Sequence, residues 1–215
     1  MRRKHSRIPL KGEAIRAETV SEISAQVADL SMDGLGVKTS KRLMPGRPCM
    51  ITIGANGSVM ILRGTTVWER FAGWSVSPRR HRDPLYSAGI RLEEPRRDMV
   101  SRALGGESDR TRAVRVYAPD LKVLLSFTEA LAVLNLSYGG LLAESWNPME
   151  PGTESSTRIF LPDLPEPVKC LARVTSCEPV KTEAGRKYHI GFEFVDMDPA
   201  QTERLKSFII LRSSI

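Results

Sequence analysis

Cysteine is scarce in this chain: three residues in 215, at positions 49, 170 and 177. The number is odd and no Cys-x-x-Cys occurs, so neither a disulfide framework nor a zinc site is expected. Buried thiols in a reducing compartment are the expected state. The three histidines, His5, His81 and His189, lie far apart and share no metal-ligand spacing. No apolar run approaches the roughly 20 residues that span a bilayer, so membrane insertion is not expected. The basic start, with Arg2, Arg3, Lys4 and Arg7, leads into no uninterrupted apolar segment, and no secretory signal is read there. A P-loop, a Ser-His-Asp set and an H-E-x-x-H motif are all missing. No catalytic residue, no metal and no cofactor is therefore assigned, and the expected setting is cytoplasmic.

What the chain does have is charge. The formal net charge is +7, with 41% hydrophobic and 27% charged residues. That excess favours an anionic partner, whether a nucleotide, nucleic acid, acidic lipid or acidic protein. The run Arg79-Arg80-His81-Arg82 could form a nucleic-acid patch. It lies between Pro78 and Pro84, so the preferred reading of 71–84 is an exposed, solvated loop.

The length suits two domains of about 100 residues, and internal landmarks repeat. Asp29-Leu30-Ser31-Met32-Asp33-Gly34 has a partial copy at Asn135-Leu136-Ser137-Tyr138-Gly139-Gly140, 106 residues further on (29 to 135). Tyr86-Ser-Ala-Gly-Ile recurs as Tyr188-His-Ile-Gly-Phe, 102 residues on (86 to 188). Strands are expected around 13–17 and 24–30, and at 49–53 and 59–63 flanking a hairpin tipped by Asn56-Gly57. Further strands are expected at 64–70 and 86–92. The second half repeats them at 113–118, 123–127, 129–135, 141–144, 156–161, 168–176 and 188–195. A helix is expected over 95–104, stopped by Gly105-Gly106. Another begins at Asp198-Pro199, with Asp198 as cap, Gln201 reaching back, and Leu205, Phe208 and Ile209 on one face.

The D-x-S-x-x-G turn at 29–34, with Arg3-Lys4-His5-Ser6-Arg7 (R-x-x-x-R) upstream, resembles the signature pair of the PilZ family, bacterial domains that bind cyclic di-GMP. The resemblance implies a mainly β fold: two tandem small β-barrels, 1–106 and 107–215, each closed by a short C-terminal helix. It also implies a binding set of Arg3, Arg7, Asp29, Ser31 and Gly34, with Arg2 as a third cation. The chemistry suits that ligand. An arginine fork can hold phosphate or the O6/N7 edge of guanine. A carboxylate at Asp29 can accept from guanine N1–H and N2–H₂, with Ser31 beside it as donor or acceptor. Gly34 and Gly36 permit positive φ or close backbone approach.

The second copy departs from the pattern. Asn135, Ser137 and Gly140 keep the turn as a degenerate second site, but no R-x-x-x-R precedes it. Arg110, Arg112 and Arg115 cluster there without the spacing. Weak or no independent binding is expected at that copy, and its role is read as packing, homodimer formation or partner contact. The implied function is a cyclic di-GMP receptor acting on an unidentified downstream protein through ligand-dependent rearrangement. The alternative is a ligand-independent PilZ-type interaction module. Nucleic acid is the least favoured binding partner.

Overall fold

The computed structural model describes residues 8–9, 15–55, 58–76, 82–96, 115–118, 120–162, 164–183 and 185–213. Among these the fold is mainly β, with one C-terminal helix. The strands are β1 (Ile8–Pro9), β2 (Arg16–Ser31), β3 (Gly34–Thr39), β4 (Pro48–Ala55), β5 (Ser58–Val76), β6 (Arg82–Leu92), β7 (Val116–Tyr117), β8 (Lys122–Ser137), β9 (Gly140–Ser145), β10 (Glu154–Phe160), β11 (Val168–Thr182) and β12 (Gly185–Asp196). The helix, α1, is Pro199–Ser213.

The chain divides into two compact units: Glu22–Phe127, and Met1–Ser21 together with Thr128–Ile215. Relative to the limits 1–106 and 107–215, the segments 1–21 and 107–127 stand in each other's units. Strand pairing shows how. Within Glu22–Phe127 the antiparallel order is β7, β2, β3, β6, β5, β4 and the first half of β8, with Met50 opposite Ser126. Within the other unit the order is β1, β8, β9, β12, β11, β10 and the first half of β2, with Ser156 opposite Val20. The two orders are the same.

Burial follows the pairing. Along β8, Val123, Leu125, Phe127, Glu129, Leu131 and Val133 alternate inward, the period of a half-buried strand. The first three lie in the core of Glu22–Phe127 beside Val27, Leu35 and Ile90. Leu131 and Val133 lie in the other core, which also takes Ile15 and Ala17 from the N-terminal segment. Each large side chain buried this way contributes roughly 1.5–3 kcal/mol. The two strand pieces expected at 13–17 and 24–30 are thus one long strand, as are those at 123–127 and 129–135. Among the described residues, no helix is long and apolar enough to cross a membrane.

Three other expectations change. Residues 71–76 and 82–84, read as loop, extend β5 and β6. Phe71 meets Trp74 of its own strand and Tyr86 across the ladder, edge-on at 5.5 and 5.9 Å between ring centroids, and a cross-strand aromatic pair such as Phe71–Tyr86 supports a ladder. Pro84 is tolerated because that end of β6 pairs only with β5, so no second ladder needs its missing N–H. The tip, with Arg79, Arg80 and His81, lies outside the described residues. At α1, the Asp198 carboxylate accepts from the Ala200 N–H at 2.8 Å, a normal cap, and Leu205, Phe208 and Ile209 are buried as expected. Gln201 instead accepts from the Lys169 N–H at 3.1 Å, so no capping box forms. The helix read at 95–104 falls on residues 97–104 outside those described.

Leu125→Ala is expected to cost about 2–5 kcal/mol, measured by urea unfolding. Amide exchange should accelerate first at 24–54 and 85–92, not in 128–213. Burial raises the Cys49 thiol from 9.0 to about 11 and Cys170 from 9.0 to about 12. Both should resist alkylation at pH 8 in the native protein. The thiols ionise in the unfolded chain at lower pH than in the folded one. Their contribution to stability is therefore complete below pH 9 and should fall as pH rises through the window up to about 12.

Candidate functional site

Two turns carry the motif residues, and they are built alike. At the first, Ser31 ends β2, Gly34 begins β3, and the two are paired. The Ser31 hydroxyl donates to the Gly34 carbonyl at 3.1 Å. At the second, Ser137 and Gly140 pair across β8 and β9, and the Ser137 hydroxyl donates to the Gly140 carbonyl at 3.0 Å. Each glycine is needed for close approach. A Cβ at Gly34 would strike the Ile90 carbonyl oxygen, and one at Gly140 the Phe192 carbonyl oxygen. Neither Gly34 nor Gly36 has positive φ, so of the two uses foreseen for them the structure shows the second.

The first motif residue is set by a bulge. Along β2, Ala25 and Val27 face the core, and unbroken alternation would send Asp29 inward too. The register shifts between Val27 and Asp29, which turns Leu30 into the core and Asp29 to the surface. The same shift lies between Val133 and Asn135, where Leu136 becomes the buried residue. Asp29 then packs over Gly36, where a Cβ would come within 2.6 Å of Oδ2.

A shallow cavity of about 190 Å³ opens at the first turn, with Asp29, Ser31, Gly36, Trp68, Gly89 and Arg115 in its wall. Trp68 lies so close over Gly89 that any Cβ there would meet the indole nitrogen. The residue is 38% exposed, and its ring carries the Arg70 guanidinium 5.5 Å from its centroid. A half-exposed indole of this kind can stack on a base, and Arg70 can add a cation. Arg115 reaches Asp29, Nη1 to Oδ1 at 3.5 Å, with the guanidinium 69% and the carboxylate 34% exposed. An ion pair this open contributes about 0–1 kcal/mol.

The second turn differs. Gly191, the counterpart of Gly89, faces Ser176 and Thr175 rather than an indole. Leu142 stands opposite Asn135, where Gly36 stands opposite Asp29. The Asn135 Oδ1 is buried and, among the described residues, has no hydrogen-bond partner. Also among those residues, no group of three or more His, Cys, Asp or Glu side chains could hold a metal.

Arg2, Arg3 and Arg7 lie outside the described residues. The strand that follows them does not. Ile8 pairs with Leu136 and Pro9 with Asn135. At the first turn the equivalent places are filled from further along the chain: Val116 pairs with Leu30 and Tyr117 with Asp29. The structure therefore brings Asp29, Ser31 and Gly34 together and does likewise for Asn135, Ser137 and Gly140. Trp68, Gly89 and the Arg115 contact were not assigned to a site from sequence. Arg115 was visible as part of a basic cluster, but its partner in the other half was not.

A family model for the PilZ domain matches residues 1–78 and 109–211. The chain belongs to the PilZ domain family. Among solved structures, the complex of K. pneumonia MrkH with c-di-GMP is 11% identical, covering 93% of this chain and 89% of that one, with a TM-score of 0.36. The Bacillus subtilis inhibitor of motility, MotI/DgrA, is 14% identical over 80% of this chain and 98% of its own, with a TM-score of 0.36. YcgR of Escherichia coli, in complex with c-di-GMP, is 14% identical over 94% and 84%, with a TM-score of 0.35. No curated protein sequence matches the chain.

The two PilZ turns make a sharp stability prediction. Gly34→Ala and Gly140→Ala should each cost about 1–3 kcal/mol, because strands must part to admit the methyl group. Gly54→Ala, with nothing within 4 Å of its Cβ, should be neutral by comparison in thermal unfolding.

Proposed function

We propose that this PilZ protein is a cyclic di-GMP receptor without catalytic activity, built as two PilZ modules that are each a small β-barrel. Its binding groups are Arg2, Arg3 and Arg7 of the N-terminal segment and the turns at Asp29, Ser31, Gly34 and at Asn135, Ser137, Gly140. The observation that carries this reading is the paired construction of the turns. Each has a serine tied to a glycine carbonyl, and a bulge that turns an Asp or Asn out of the core. Such a turn fixes a hydrogen-bonding side chain beside backbone that a flat nucleotide can approach. Arginine supplies what the turn lacks, a forked cation for phosphate and guanine.

The ligand acts by population shift in the cytoplasm. Binding favours one arrangement of the modules, or of a protein partner, to the extent that affinity differs between arrangements. A second reading, a ligand-independent interaction module, draws on Phe71 and Trp74, which are 54% and 61% exposed. It requires partner binding that nucleotide does not change.

Calorimetric titration with cyclic di-GMP tests the receptor reading. Wild type should release heat at tens of micromolar ligand. Arg3→Ala/Arg7→Ala should bind at least about tenfold more weakly, since each lost charge-assisted bond removes roughly 1.5–3 kcal/mol. Absence of heat with wild type overturns the reading.

A further inference from the structure

We infer that the unit made of 1–21 and 128–215 carries a further small-molecule pocket, built around Trp146 and Arg16, for a planar ring with an anionic group: a nucleoside monophosphate. It goes beyond the receptor reading and does not depend on it. No residue of either serine–glycine turn lines it.

A cavity of about 370 Å³ opens where the start of β2 meets β8, β9 and β12, against about 190 Å³ at the first turn. All its lining residues belong to the one unit. Ala130 and Ala132 lie on the exposed side of β8, and such small side chains leave room for a flat ring. Trp146, 55% exposed, and the half-buried Phe160 supply aromatic surface. Arg16 stands opposite Phe160 in the ladder, and Lys187 places Nζ 4.8 Å from the Trp146 ring centroid.

Trp146 is held without being packed away. The Ser145 hydroxyl donates to Glu129 Oε1 at 2.6 Å and accepts from the Asn147 N–H at 3.0 Å. The Asn147 amide donates to both Glu129 oxygens, at 3.1 and 3.0 Å. Both chain neighbours of the tryptophan are thus tied to one carboxylate that is only 7% exposed. A buried carboxylate is costly unless bonded in this way, and here its bonds fix a ring at the cavity's edge. The repeat does not require the arrangement. In the other unit, 106 residues earlier, Lys41 N–H still bonds Thr39 Oγ1 at 3.2 Å, but Ile23 replaces the carboxylate, Ser40 the indole and Gly54 the phenyl ring.

The charges select an anion. Glu144 Oε1 already holds Lys187 at 2.6 Å, and Glu18 holds Arg158 at 2.7 Å. Arg16 is exposed and, among the described residues, has no ion-pair partner. Its fork suits a phosphate, and Lys187 keeps protons beyond the one given to Glu144. A half-exposed indole stacks on any base. Small-molecule sites occupy roughly 300–1,000 Å³, and this cavity, near the lower end, suits one nucleoside monophosphate better than a cyclic dinucleotide.

Calorimetric titration with AMP and GMP tests the pocket, with adenosine and inorganic phosphate as the separate halves. Wild type should bind both nucleotides with Kd below about 1 mM. Each half alone should bind at least about tenfold more weakly. Trp146→Ala and Arg16→Ala should each weaken the nucleotides about tenfold, and Trp146→Phe, which keeps a ring, by less. Asp29→Ala/Asn135→Ala should leave AMP and GMP binding unchanged, and Trp146→Ala/Arg16→Ala should leave cyclic di-GMP binding unchanged. Absence of AMP and GMP binding to wild type overturns the assignment, as does adenosine binding as tightly as AMP. So does nucleotide binding that survives both pocket variants or is lost in Asp29→Ala/Asn135→Ala. None of these outcomes turns on whether cyclic di-GMP binds, so the pocket and the receptor reading fail separately.

Discussion

Two short backbone ladders, Pro9 beside Asn135 and Tyr117 beside Asp29, flank the two turns, and the second brings Arg115 to Asp29. Strand pairing is unforgiving in this respect. A residue one place along points to the other face, and a residue on another ladder cannot come near. On the other side of each turn, the motif glycines let β3 lie on β6 and β9 on β12 with no side chain between. The bulges then aim Asp29 and Asn135 away from cores they would otherwise enter.

The repeated landmarks were read as two copies of one design, and the strand order within each of the two compact units is the same. What the repeat could not tell was which copy receives each N-terminal segment. Residues 1–21 and 107–127 each lead into a long strand, β2 or β8. The choice is made by pairing between strands more than a hundred residues apart, such as Val20 with Ser156, and local pattern carries no trace of it.

Other differences have similar causes. The stretch 71–84 reads as loop because prolines and arginines outweigh Phe71 and Trp74, yet Phe71 meets Tyr86 across the hairpin and Trp74 along its own strand. The break expected at Thr128 within β8 is not there: inward alternation runs from Val123 to Val133 across it. The bulges lie elsewhere, at Val27/Asp29 and Val133/Asn135. Gln201 had the right spacing for a capping box, and the nearby Lys169 N–H claimed it instead. The turns themselves were legible, because D-x-S-x-x-G encodes a local hydrogen bond and a local glycine requirement. The Trp68 lid on Gly89 was not, since nothing in the order of residues sets the register that puts Trp68 of β5 directly opposite Gly89 of β6.

The same fold thus holds two unequal turns: an acidic one with Arg115 and an indole, and an amide one whose buried acceptor has no partner among the described residues. The most direct measurement is an experimental structure of the chain with cyclic di-GMP bound. The account predicts nucleotide against a serine–glycine turn, Ser31 with Gly34 or Ser137 with Gly140. Nucleotide seated away from both turns would contradict the account.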